Sequence, residues 1–302
     1  MEELSHSLGA QFSGKIAFEV VAPAAQRLPV VLNSPHSGAC YPDHFLAASR
    51  LDEKAIRRSE DSYVDELVEG AAALGCPLLK ANFPRACLDV NREPYELDPK
   101  MFEGNLPTYA NVRSVRVAGG LGTIARIVSE SEEIYARPLD VEEALARIDA
   151  VYKPYHRALR QMVLDTRAAF GLAVLVDCHS MPSTVRGMHG RLRPDIVLGD
   201  RYGTSCASEL TDLMAQVLTR FGYSVSRNKP YAGGFITEHY GQPARGLHAV
   251  QIEFNRNMYM DERTLERTPR FATLRADLGR LVDALIEAFD GGFLLARPEA
   301  AE

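Results

Sequence analysis

This chain of 302 residues lacks several things that would narrow it to a special class. Its five cysteines, Cys40, Cys76, Cys87, Cys178 and Cys206, are scattered, odd in number and form no CxxC pair. That argues against a disulfide framework and against a thiolate zinc site, and fits a reducing compartment. No apolar run approaches the roughly 18 residues of a membrane span. The start, MEELSHSLGAQFSGK, is polar and has no apolar signal core, so the cytoplasm is the expected location and no membrane partner is expected. There is no basic excess: the formal net charge of -6 argues against a nucleic-acid surface, though not against a local basic pocket for an acidic small molecule. No internal repeat, low-complexity segment or Pro/Ser-rich linker divides the chain. The expectation is one catalytic domain over 1–302, with loose ends at about 1–12 and 292–302.

What remains is the composition of an ordinary globular protein, 46% hydrophobic and 25% charged. Strand patterns at 16–21, 29–32, 76–80, 173–179, 196–198, 223–227 and 249–254 alternate with helical patterns at 52–74, 140–170, 206–221 and 270–289. Asp61 or Ser62 is a candidate cap for a second segment within 52–74. Pro154 should kink or divide the 140–170 helix. The alternation predicts a three-layer α/β/α sandwich around a mostly parallel or mixed sheet. Residues 82–123, dense in Pro, Asn, Arg and Gly, are too long for an idle connection and read as site-forming.

Ligands in open α/β sheets sit beyond the carboxyl ends of strands. Three strands here run into reactive side chains: VVLN leads to His36, AVLVD to His179, and VQIE delivers Glu253. Asp61 or Glu60 can come near His36. Two histidines and one carboxylate with a fourth position open make a catalytic zinc site, which lowers the pKa of water to roughly 7 and polarises a carbonyl. A further carboxylate is then needed to move protons, and Glu253 is the spare one. The competing reading is two unrelated histidines in structural hydrogen bonds, and no HExxH-type motif decides between them. Arginines form a second group. Arg85 and Arg92 lie in tight contexts, NFPR and DVNR, and suit bidentate binding of a carboxylate. Arg126 and Arg186 are further candidates, while Arg113 and Arg116 read as surface residues. The loop Asn228–Gly234, with Tyr231, Gly233 and Gly234, is a possible wall or lid. Cys178 and Cys87 read as small apolar fillers, His156 as structural, and His189 as a loop residue.

These stretches resemble the N-formylglutamate amidohydrolase family. The matching segments are NSPHSG (33–38), EDSYVDEL (60–67), FPRACLDVNRE (83–93), GTIARI (122–127), YKPYH (152–156), VDCHSMPS (176–183), PDIVLGDRYGTSC (194–206), NKPYAGGFITEHYG (228–241) and HAVQIEFNRNMYMDE (248–262). The ordered set spans nearly the whole chain. The resemblance implies a zinc-carboxypeptidase-like and aspartoacylase-like fold, a phosphorylase/hydrolase-like α/β/α domain. It implies one zinc per chain held by His36, Asp61 and His179, and Glu253 as general base. It implies Arg85, Asn91 and Arg92 as substrate residues, beside the candidates Arg126, Arg186, Tyr231, Gly233 and Gly234. The implied reaction is hydrolysis of the linear amide of a small anionic N-acyl amino acid, N-formyl-L-glutamate to formate and L-glutamate, the last step of a histidine degradation route. One departure stands out. Formylglutamate-specific members carry DTDWHVD where this chain has EDSYVD; Asp61 and Asp65 are retained while the flanking residues differ, so the departure bears on the formylglutamate specificity more than on the chemistry. Glu60 beside Asp61 leaves the third ligand open between the two. Two alternatives stay open: a metalloamidase or carboxypeptidase on another N-acyl amino acid or peptide, and a non-catalytic carboxylate-binding protein. A monomer or a small homo-oligomer is expected.

Overall fold

The computed structural model describes residues 16–128, 132–184 and 193–293. The candidates Arg186 and His189 lie outside the described residues. Seven strands form one mixed sheet: β1 (Phe18–Val21), β2 (Val30–Ser34), β3 (Leu78–Ala81), β4 (Ala173–Met181), β5 (Ile196–Gly199), β6 (Val225–Arg227) and β7 (Leu247–Asn255), in the order β1-β3-β2-β4-β7-β5-β6. β2, β4 and β7 run parallel, β7 meets β5 antiparallel, and β5 pairs β6 in parallel. The expected α/β class is therefore present. The chain divides by contact density into two compact, interleaved units. One comprises the described part of Met1–Val20 with Ser34–Ser62 and Leu79–Arg160. The other comprises Val21–Asn33, Tyr63–Leu78 and the described part of Gln161–Glu302.

In the second unit the alternation of side chains along each strand separates core from chemistry. Val174, Val176 and Cys178 of β4, and Val250, Ile252 and Phe254 of β7, join one apolar cluster. Helices α2 (Ser208–Arg220) and α4 (Arg270–Asp290) close that cluster with Met214, Leu278, Leu281 and Leu285. The residues between them, Asp177 and His179 on β4 and Gln251 and Glu253 on β7, belong by the period of two to the opposite face. All nine residues of β4 and all nine of β7 are buried, so polar groups here must be hydrogen-bonded within the protein.

Two predicted helices come out divided, each for a local reason. In the first unit and at its boundary, 53–73 breaks into Glu53–Ile56, a 3₁₀ turn at Arg57–Ser59, Val64–Val68 and Gly70–Ala73. Neither Asp61 nor Ser62 caps the second segment. Its N-cap is Tyr63, at φ 66° and without a side-chain cap bond. The two predicted caps are already committed: Ser62 donates to Glu60, and Asp61 faces His36. The 141–170 run is α-helical over Val141–Arg147 and over α1 (Lys153–Phe170), with a π-helical turn, Ile148–Tyr152, between them. Pro154 has no N–H to give to the preceding turn, and the wider turn absorbs the missing bond. Helix α3 (Phe235–Tyr240) follows directly on the Asn228–Gly234 loop.

Candidate metal centre

The first unit gathers polar side chains around His36. The NSPHSG segment leaves β2, bends and runs close against the Asn82–Phe83 backbone. A Cβ on Gly38 would lie 2.2 Å from the Phe83 carbonyl oxygen, so only glycine fits where these backbones meet. Asp61 is drawn to the same place by its own backbone, whose N–H donates to the His36 carbonyl at 3.0 Å. The side chains follow: His36 Nδ1 lies 3.4 Å from Asp61 Oδ2. The other ring nitrogen, Nε2, lies 2.8 Å from Asp89 Oδ1.

Asp89 is the anchor of this half. Its carboxylate also accepts from the Asn91 backbone N–H at 2.8 Å and from Arg85 Nε at 3.0 Å, with Arg92 Nη2 at 3.4 Å. Burial by itself would raise the Asp89 pKa. Arg92 and Arg85, and then His36, outweigh it and hold the carboxyl well below its ordinary range. An ionised Asp89 fixes the proton of His36 on Nε2 and leaves the Nδ1 lone pair on the side of Asp61.

Glu60, adjacent in sequence to Asp61, is used differently. Tyr41 Oη donates to it at 2.6 Å, Ser62 Oγ at 2.9 Å, and the Arg57 guanidinium grips it through Nε and Nη2 at 3.0–3.1 Å. The carboxylate is thus neutralised where it stands. Of the two neighbouring acids, Asp61 is the one aimed at His36.

The second unit carries its polar residues on its sheet. His179 Nε2 lies 2.8 Å from Asp177 Oδ2, two residues earlier on the same face of β4. Asp177 in turn accepts from Asn33 Nδ2 at 2.7 Å, its partner in the β2–β4 register. This places the His179 proton on Nε2 and leaves Nδ1 as its donor atom. Glu253 pairs with His179 across β4 and β7, and its Oε1 accepts from Gln251 Nε2 at 2.8 Å. Cys178 points into the apolar cluster, where burial pushes its thiol well up, as it does for Cys87. Both behave as fillers, as their sequence context indicates.

His36, Asp61 and His179 are all buried, and one donor atom from each lies within 4.8 Å of the others. This donor set fits a zinc-like cation. Two ligands each about 2.0 Å from a tetrahedral zinc stand about 3.3 Å apart, close to the 3.4 Å between His36 and Asp61. Both imidazoles give their other N–H to a carboxylate, the arrangement that orients metal-binding histidines.

The remaining sequence candidates fall into distinct places. Arg92 is buried, with Nε donating to the Leu121 carbonyl at 2.7 Å and Nη1 to the Asn91 carbonyl at 2.7 Å. Arg85 and Asn91 share Asp89 with it. Arg126 belongs to another group: it donates to Asp98 at 2.8 Å and pairs with Glu133, and it lines a cavity of about 160 Å³ with Arg50, Lys100 and Arg137. Tyr231 accepts a hydrogen bond from Arg193 Nη1 at 3.2 Å. Gly233 has φ 116°, and the Gly234 N–H donates to Gln251 Oε1 at 2.9 Å. His156 binds the Val90 carbonyl, and Arg113 and Arg116 are exposed, as read from the sequence. Sequence reasoning left out Asp89, Asn33 and Gln251. The first lies within the DVNR stretch and the last two residues before Glu253, so both carried a signal. Asn33 meets Asp177 only through strand register.

Fold and donor set together define a mixed α/β protein with a buried site suited to one divalent cation. Comparison with known proteins gives the family. The N-formylglutamate amidohydrolase family model matches residues 28–260, and the chain belongs to that family. It is 30% identical over 239 residues to an N-formylglutamate deformylase of Pseudomonas putida, covering 78% of this chain and 83% of that protein. It is 30% identical over 271 residues to one from Pseudomonas aeruginosa, covering 89% and 93%. The crystal structure of an N-formylglutamate amidohydrolase from Ralstonia eutropha JMP134 superposes with a TM-score of 0.86 at 38% identity, covering 92% of this chain and all of that one. Among the described residues no helix is long and apolar enough to cross a membrane.

Proposed function

We propose that this protein is a zinc-dependent amidohydrolase that converts N-formyl-L-glutamate to formate and L-glutamate. The observation that carries the reading is the buried group His36, Asp61 and His179, in a chain of this family, with each imidazole backed by a carboxylate. In this reading those three residues hold one zinc, and the chain acts as a single catalytic domain. When bound, the metal supplies Lewis acidity for the formyl carbonyl and for water. Glu253 takes a proton from the attacking water and delivers it to the departing nitrogen, which leaves as the amine of glutamate. Asp89 and Asp177 keep the two histidines in the Nε2–H form. Arg85 and Asn91, with the remaining N–H groups of Arg92, receive substrate carboxylate, and Tyr231, Arg126 and Arg186 stand as further substrate candidates from their sequence context. The backbone of Gly233 and Gly234 forms a wall.

The test is turnover of N-formyl-L-glutamate against a panel of N-acyl amino acids, with and without a chelator. Release of formate that is lost with chelator and restored by zinc is the expected result. Full activity in metal-free protein refutes the mechanism, and preference for another acyl group or side chain refutes the substrate. Asp61→Asn should abolish zinc retention. Glu60→Gln should leave zinc bound and weaken the fold instead, through Arg57.

A further inference from the structure

Two dyads lie side by side on one face of the sheet. Asp177 and His179 alternate along β4, Gln251 and Glu253 along β7, and the parallel register sets Gln251 beside Asp177 and Glu253 beside His179. Gln251 is buried and spans two partners: its Nε2 donates to Glu253 Oε1 at 2.8 Å, and its Oε1 accepts the Gly234 N–H at 2.9 Å. The orientation of the amide follows from chemistry. A backbone N–H can only donate, so the carbonyl end of Gln251 must face Gly234 and the amino end must face Glu253.

The far anchor is itself fixed. The Arg201 N–H donates to the Ala232 carbonyl at 2.8 Å. The same stretch presses on the end of β5, where a Cβ on Gly199 would stand 2.7 Å from the Ala232 carbonyl carbon and 2.8 Å from the Gly233 nitrogen. The 231–234 segment is therefore stitched to two strands, and Gln251 transmits that position to Glu253.

We propose that Gln251 is a positioning residue for Glu253. The last torsion of a glutamate side chain is soft and has no sharp preferred angle. A donor held at both ends fixes Oε1, and with it the plane of the carboxylate and the direction in which Oε2 meets a proton. The proposal rests on the reading of Glu253 as general base and adds the device that aims it.

Gln251→Glu keeps the shape and the acceptor for Gly234 but replaces the amide donor with a second carboxyl that shares a proton with Glu253. Gln251→Met keeps the volume and removes both bonds. Each should lower kcat about ten- to a hundred-fold, the range of a hydrogen bond to a charged group, with KM within about twofold of wild type. Zinc content and calorimetric affinity for L-glutamate should match wild type in both variants. In a Glu253→Gln background the same changes at 251 should cost little more, because the residue acts through Glu253. Wild-type kcat in both variants overturns the proposal, as does a parallel loss of kcat, glutamate affinity and zinc. The base assignment fails separately, if Glu253→Gln alone retains full turnover.

Discussion

Asp89→Asn is the perturbation with the most to say about how the site is held. The carboxylate receives the His36 imidazole at 2.8 Å, the Asn91 N–H at 2.8 Å and Arg85 Nε at 3.0 Å, with Arg92 at 3.4 Å. Asparagine keeps the shape and one acceptor, but it turns an NH₂ group toward donors and removes the charge. The Arg92 side chain, 7% exposed, then stays buried without its counter-charge. Breaking a buried ion pair from one side costs about 3–5 kcal/mol. The Arg85 side chain is 26% exposed, so water compensates for much of its loss and it adds little. A drop of about 3–5 kcal/mol is a large part of the roughly 5–15 kcal/mol that holds a typical domain. His36 also loses the acceptor that fixes its proton, which should weaken zinc binding roughly 10- to 100-fold. Urea unfolding followed by circular dichroism measures the first effect; the chain has no tryptophan to report by fluorescence. Competition with a chromophoric chelator measures the second. An unchanged urea midpoint together with wild-type zinc retention would refute the account of Asp89 as the anchor of this half-site.

Glu253→Gln should reduce turnover at least about 100-fold while zinc stays bound, read by formate release and metal analysis on the same sample. Gly38→Ala places a methyl against the backbone of Asn82 and Phe83 and should cost about 1–3 kcal/mol or more in urea unfolding; a neutral result refutes the close approach of these backbones. Stability should also fall in mild acid through His248. Burial holds this imidazole below its ordinary value, against the opposing pull of Glu209, and its Nδ1 accepts the Ala207 N–H at 3.2 Å where α2 begins. The native ring stays neutral while the unfolded chain takes up a proton near pH 6.5, so the contribution is intact above about pH 6.5 and declines as pH drops below it. His248→Gln should flatten that part of the urea midpoint-against-pH profile, and an unaltered slope refutes the assignment.

Much of the molecule was legible in the chain itself. Short apolar runs bounded by turn residues and polar ends placed all seven sheet strands, and Cys178 already read from the sequence as lying on the opposite side of its strand from the site, where it faces the apolar cluster. The strand ends at His36, His179 and Glu253 marked where core gives way to polar chemistry, because a buried strand keeps ionisable groups only where partners await them. Other features depend on pairs far apart in sequence. The choice between Glu60 and Asp61 was open in the chain, since either can reach His36. In the folded protein Tyr41, Arg57 and Ser62 occupy Glu60, and the Asp61 backbone is tied to the His36 carbonyl. The arginines of the PR and NR stretches read as substrate forks, yet Arg85 donates to Asp89, and Arg92 donates to the Leu121 and Asn91 carbonyls with Asp89 at 3.4 Å. Strand register joined Asn33 to Asp177 and set Glu253 beside His179. Composition and periodicity are properties of neighbours along the chain, so the sequence determined the elements, their buried faces and the residue types at the site. Hydrogen bonds and charge pairs form between segments that only folding brings together, so the tertiary structure alone decided which carboxylate faces the histidines and which residues hold them there.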